Sequence, residues 1–241
     1  AFILPTNSYL AYSNDNLATN CVVAELLAGK VPVMNASDLY LNEHREYGLS
    51  TYSLHSDDSG VCYSSRLRPI LNMRPKYRHW LSPSLWQLNG DLHLVDWLEE
   101  KNFEFDIHTD EDLDREGVGL LNKYQTVLTG SHPEYTSEKM FSAYEQYQQA
   151  GGRWIYLGAN GFYWCSEYHP DNSNIIEVRK GEAGTRAWTA NPGEYNNAFD
   201  GKYGGMWRAR GRIPSKLCGL TFTAYGFDVS SYYVRDKDSE R

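Results

Sequence analysis

The chain lacks several things, and each lack narrows what it can be. Only four cysteines (Cys21, Cys62, Cys165, Cys218) are scattered through 241 residues, with no CxxC pair. That argues against a disulfide-built scaffold or a thiolate zinc site, and the thiols read as reduced and mostly buried. Basic charge is scarce: 23 Lys and Arg face 31 Asp and Glu, for a net charge of −8, and no block of five or six Lys or Arg occurs. A nucleic-acid or polyanion surface is therefore not expected. No apolar run approaches the ~20 residues that a membrane span requires. The start, AFILPTNSYL, has neither the basic region nor the long apolar core of a signal peptide, so the expectation is a cytoplasmic protein without membrane contact. A chain that begins without Met on a core strand also reads as a piece of a longer subunit. The seven histidines never fall at HExxH or HxH spacing, so a histidine zinc site is disfavoured.

What the chain has in quantity is aromatic side chains, with 19 Tyr, 7 Trp and 8 Phe, and a hydrophobic content of 41%. That content supplies a large core for one large or two small domains. The aromatics suit a lined cleft or subunit contacts as well as a core.

Regular α/β grammar is clearest in Gln125–Asn160. Thr126–Leu128 reads as a buried strand, Gly130–Glu134 as a sharp polar turn, Ser137–Ala150 as an amphipathic helix and Trp154–Leu157 as a second strand. Upstream, Phe2–Leu4 is a short strand leading into a polar, aromatic turn, Ser8–Asn14. Gly90–Asn102 is a helix, Phe103–His108 a strand, and Asp112–Leu121 a helix capped by Thr109 or Asp110. A short helix is possible at Cys21–Ala28. Further strands are expected at Ile175–Arg179 and Cys218–Thr223. Strands alternating with helices at this spacing indicate βαβ crossovers and a parallel sheet in one domain, residues 1–241. The segment Tyr47–Tyr63, with Tyr52, His55, Asp57 and Asp58 among Ser and Gly, reads as a long functional or disordered loop.

Strand-to-helix turns at the carboxyl edge of such a sheet are where ligands bind. The turn after Leu128 offers His132 and Glu134 but no cysteine, and Ser131 is not framed as GxSxG, so a covalent nucleophile is not expected there. Oxygen donors remain: Tyr12 with Tyr9, Tyr52, and Glu134 with Tyr135. By spacing alone each tyrosine reads equally well as packing or as a hydroxyl-to-backbone hydrogen bond.

At these residues the sequence resembles the catalytic domain of the large (beta) subunit of N,N-dimethylformamidase. The resemblance is carried in order by AFILPTNSYLAYSN, STYSLHSDDSGVCYSS, FEFDIHTDEDLDREG, VLTGSHPEYTS, GGRWIYLGANGFYW, IIEVRKGEAGTRAW and GGMWRARGRIPSKLCGLTFTAYGFD. It implies a doubly wound, mostly parallel α/β sheet of class I glutamine amidotransferase type, with long loops inserted around the site. It implies an amidohydrolase that uses one iron, Fe(III), held by two tyrosine phenolates and a glutamate, working with a small subunit and in a homo-oligomer. Carried over by residue, the ligands are Tyr12 (with Tyr9 as the alternative), Tyr52 and Glu134. The site histidine is His132, the site asparagine Asn160, and a second glutamate that contacts substrate is matched to Glu194.

The chemistry coheres, because three anionic oxygens are hard donors whose charge balances a trivalent ion. They leave positions open for water and an amide carbonyl. His132 then either moves a proton to the leaving amine or only fixes Glu134, and Asn160 hydrogen-bonds substrate. Phe162, Tyr163 and Trp164 either wall a pocket for small N-alkyl groups or belong to the core. The expected reaction is hydrolysis of a small N-substituted amide such as dimethylformamide to formate and an amine. The alternatives are a related hydrolase with another amide or metal, and a non-catalytic subunit or binding module on the same fold.

Overall fold

A computed structural model describes residues 1–20, 24–26, 31–82, 84–181 and 183–223. Its central sheet has four parallel strands, β1 (Phe2–Leu4), β3 (Ile107–Thr109), β4 (Thr126–Thr129) and β6 (Arg153–Ile155), in the order β3-β1-β4-β6. The register pairs Phe2 with Ile107 on one side and with Leu128 on the other, and Leu128 with Ile155. The chain passes from β1 out to β3, then crosses back over β1 to β4 and β6. The order therefore reverses between β1 and β4, the position in an open α/β sheet beyond whose carboxyl edge ligands bind.

One face of this sheet is covered by α4 (Asp110–Glu116), α5 (Val118–Leu121) and α6 (Glu138–Gln149). Ile3 and Val127 meet Leu113, Leu120, Leu121, Met140, Phe141 and Tyr144 in one core, all nearly or fully buried. The helices begin where their caps dictate. Thr109 and Asp112 form a reciprocal capping box for α4, and the Ser137 hydroxyl accepts from the Met140 N–H at the start of α6. The stretch expected as one helix over Asp112–Leu121 is two, because Gly117 between them adopts φ +60°.

The remaining elements pack around the sheet. They are α1 (Thr6–Ala11), α2 (Ala36–Glu43), β2 (Tyr63–Ser65), α3 (Leu88–Glu100), and the parallel pair β5 (Tyr135–Thr136) and β7 (Trp164–Cys165). β8 (Glu167–His169) and β9 (Asn172–Glu177) join β2 in an antiparallel sheet, and α7 (Pro214–Cys218) follows.

Two strand expectations are corrected. Only the end of Phe103–His108 is extended as a ladder strand, over Ile107–Thr109, since α3 runs to Glu100 and Lys101–Asn102 turns after it. Cys218 does not open a strand but closes α7, which Pro214 starts at its first turn and Gly219 ends in the left-handed region. Most of Cys21–Ala28 lies outside the described residues. Among the described residues no helix is long and apolar enough to cross a membrane.

Candidate metal centre

The two strands flanking the switch point deliver the site residues. β1 runs through Pro5 into the short α1, and Tyr12 caps its end, with its N–H donating to the Leu10 and Ser8 carbonyls. β4 runs into the turn of His132 and Glu134 just before β5. There the Glu134 N–H donates to Ser8 Oγ at 3.0 Å, and its carbonyl accepts from the Trp164 N–H at 2.9 Å. Tyr52 arrives from the 48–54 loop, which is tied to α1 because the Thr51 N–H and hydroxyl both donate to the Ala11 carbonyl, at 3.1 and 2.9 Å. Part of the loop that reads as functional or disordered is thereby ordered, while His55, Asp57 and Asp58 stay exposed at its tip.

Three side-chain oxygens converge. Tyr12 Oη donates to Glu134 Oε2 at 2.7 Å, Tyr52 Oη lies 2.6 Å from Tyr12 Oη, and the same atom is 3.4 and 3.5 Å from the two Glu134 oxygens. His132 Nε2 sits 3.0 Å from Glu134 Oε2, and Tyr135 Oη donates to Tyr52 Oη at 2.5 Å. Tyr12, His132, Glu134 and Tyr135 are buried and Tyr52 half-buried. The alternative donor Tyr9 points elsewhere, hydrogen-bonding Asp91. Of the two tyrosines in YLAY, only Tyr12 joins the cluster.

The other expected residues divide. Asn160 lies in the turn after β6, with φ +54°, and this turn is stitched to the His132–Glu134 turn by Ala159 N–H to Ser131 O at 3.0 Å and Phe162 N–H to Pro133 O at 2.8 Å. Phe162 is 1% exposed and packs in the core against Phe141, Tyr144 and Trp154, with ring centres 5.3 to 5.9 Å away. It is therefore a core residue and not a pocket wall, and Trp164 is likewise fully buried. Glu194 is exposed on the 191–196 loop, where its carbonyl accepts from Arg179 at 3.0 Å; it is not brought to the oxygen cluster.

Aromatic contacts instead come from a residue that the sequence pattern does not single out. Trp86 meets the rings of Tyr12, His79 and His132 edge-on at 4.8, 4.9 and 5.0 Å. Two cations escape sequence reasoning as well. Lys180 is fully buried, with Nζ 2.7 Å from the centre of the Tyr52 ring and donating to the Thr51 carbonyl at 3.3 Å. Arg186 lies over the same ring at 3.8 Å. The signal for both is their place in the matched segment IIEVRKGEAGTRAW.

Burial raises the Tyr12 and Tyr52 hydroxyls well above the usual phenol range, and the Glu134 charge raises them further. Burial would also raise Glu134, but the hydrogen bond and charge of His132 and the Tyr12 donor outweigh it and hold the carboxyl below its ordinary value. Burial pushes the Lys180 ammonium well below the usual lysine range, with Arg186 adding to the effect.

This donor set fits a small, highly charged cation. Ligand oxygens about 2.0–2.2 Å from one ion lie about 2.8–3.6 Å from each other in octahedral or tetrahedral arrangements; the 3.4 and 3.5 Å separations here fall in that range, and the 2.6 and 2.7 Å hydrogen-bonded ones lie just below it. Two phenols and a carboxylate also give a cation of charge three its full compensation once the phenols ionise.

A family model described as "N,N-dimethylformamidase beta subunit-like, C-terminal" matches residues 1–241. The chain belongs to this family. It is 46% identical to the N,N-dimethylformamidase beta subunit of an Alcaligenes species over 239 residues, 99% of this chain, and 46% identical to that of Paracoccus aminophilus over 236 residues, 98% of this chain. It spans 31% of the length of each. The dimethylformamidase-like match covers every segment quoted for the resemblance, including those that carry Tyr12, Tyr52, His132 and Glu134.

Proposed function

We propose that this chain is the catalytic α/β unit of a longer amidohydrolase subunit, one that hydrolyses a small N-substituted amide such as dimethylformamide to formate and an amine. The observation that carries the reading is the convergence of Tyr12, Tyr52 and Glu134, drawn from three loops across 122 residues of sequence, onto one buried point at the sheet's switch point. Tyr12, Tyr52 and Glu134 would hold a single Fe(III). The ion supplies Lewis acidity to the amide carbonyl and to water. The fold proposed for the unit is the doubly wound, amidotransferase-like sheet, and the working enzyme is proposed to include a small subunit, as the relatives' beta-subunit name implies for them.

The chain's own residues account for the proton and the substrate. In the net reaction water forms a C–O bond to the acyl carbon, the C–N bond breaks, and the leaving nitrogen gains a proton. His132 is assigned to manage that proton, a role supported by its Nε2 lying 3.0 Å from Glu134 Oε2 and its ring meeting Tyr12 and Trp86 edge-on. Asn160, on the adjoining turn, is assigned to hydrogen-bond the substrate. The indole of Trp86 supplies apolar surface beside His132 for the N-alkyl groups. The test is release of amine from a panel of short formamides and acetamides by the iron-loaded protein together with its small subunit. Amine from N-alkylated formamides supports the reading, and no amine from any member contradicts it.

A further inference from the structure

Arg186 occupies a position that loop closure alone does not require. Its guanidinium lies 3.8 Å from the centre of the Tyr52 ring, and its nitrogens donate to both Asp15 oxygens at 3.2 to 3.4 Å and to Asn20 Oδ1 at 2.7 Å. Asp15 is fully buried and also accepts from Trp80 Nε1 at 3.2 Å, from Asn20 Nδ2 at 2.9 Å and from Ser50 Oγ at 3.3 Å, with His79 Nε2 3.3 Å away. In sequence, Asp15 is three residues beyond Tyr12 and Ser50 two before Tyr52. One carboxylate thus ties together the loops that carry the two phenols and anchors a cation against one of them.

The arrangement is expensive in two ways. A buried ion pair gives up hydration that an apolar pair of the same volume would not, and Arg186 holds φ +58°, a left-handed backbone uncommon outside glycine. Such costs persist where the surroundings use the result.

We propose that Arg186, held by Asp15, is the positioning residue for Tyr52: it stacks on the ring, sets the direction of the phenol oxygen toward Tyr12 and Glu134, and keeps a positive charge beside that donor when it binds a metal. The inference rests on the iron reading above. It makes a spectroscopic demand, because a cation beside a phenolate ring stabilises the electrons that a phenolate-to-iron transition excites. Removing the cation lowers the transition energy.

The experiment compares wild type, Arg186→Gln and Arg186→Lys, each checked for wild-type circular dichroism, by iron titration and by visible absorption at saturating iron. Arg186→Gln is expected to bind iron roughly 10–100-fold more weakly, as loss of an outer partner of a ligand does. Its absorption band should move to longer wavelength at full occupancy. Arg186→Lys, which keeps the charge but not the planar stack, should recover most of the band position. If Arg186→Gln does not fold, the uncharged Arg186→Met takes its place. Unchanged iron affinity and an unmoved band in the uncharged variant would overturn the inference while leaving the iron reading intact. A wild-type protein that takes up no iron, or iron without a visible band, would overturn the iron reading and this inference with it.

Discussion

Replacing Tyr12 by Phe removes one oxygen and nothing else, and the cluster geometry sets the size of the effect. The lost hydroxyl donates to Glu134 Oε2 at 2.7 Å and lies 2.6 Å from Tyr52 Oη, in a region where Tyr12 is 4% exposed. A hydrogen bond to a charged acceptor contributes about 1.5–3 kcal/mol. Tyr52 Oη, already 3.4 Å from the same carboxylate oxygen, can close on it and offset part of the loss. The metal-free protein should therefore lose stability toward the lower end of that range. At ~2–4 °C per kcal/mol for a domain of this size, that is roughly 3–6 °C in Tm. The metal effect should be far larger, because the proposed three-donor site would become a two-donor site. Iron content, measured by plasma emission after loading and desalting, is expected to fall from near one per chain to a small fraction, with loss of colour. Tyr9→Phe is the control, since Tyr9 sits three residues away on α1 but bonds Asp91; it should keep both iron and colour. A colourless Tyr9→Phe, or a Tyr12→Phe protein with full iron and an unchanged spectrum, would refute the assignment.

The other predictions separate roles that one activity assay would merge. His132→Ala should retain iron and lose turnover, whereas Glu134→Ala should lose both; loss of iron in both would reduce His132 to fixing the Glu134 carboxylate. Phe162→Ala should cost about 3–5 kcal/mol in denaturant unfolding, as truncation of a buried aromatic does, while iron content per folded molecule stays at the wild-type level. Glu167 supplies a pH test, because burial and then the Asp200 charge push its carboxyl up to about 8. The folded state therefore holds a proton that the unfolded chain releases near its ordinary value of 4.5, so stability falls as pH rises through that window, by at most about 1.4 kcal/mol per pH unit. Urea midpoints at pH 5 and pH 8 should show the decline, and Glu167→Gln should flatten it; an equal slope in the variant would contradict the cause.

The βαβ grammar of Gln125–Asn160 is visible in the sequence because each element states its own boundary: Ser137 caps a helix with a 3.6-residue apolar period, and the flanking strands are short apolar runs. Cys218–Thr223 misleads because a short apolar run suits a strand or a buried helix turn equally. The deciding signals, Pro214 at the helix start and Gly219 at its end, lie outside the hydrophobic residues themselves. Phe162 misleads for a related reason: in GFYW three adjacent aromatics offer a core and a pocket the same surface, and only the packing of α6 and β6 settles which face is which. Lys180 and Arg186 carry no local signal at all. Charged residues in a Gly-containing loop read as solvated, and their burial depends on Tyr52 and Asp15, more than 120 residues upstream. Tyr12, Tyr52 and Glu134 are picked out by family resemblance; their donor chemistry explains why such a set suits iron, but nothing in spacing alone brings the three together.

The most direct test of the account is the metal content and visible spectrum of the protein produced with iron supplied. Close to one iron per chain is expected, with a visible tyrosinate-to-iron(III) band that vanishes on chelation and returns when iron is added back. A protein that remains colourless and metal-free under those conditions would contradict the account.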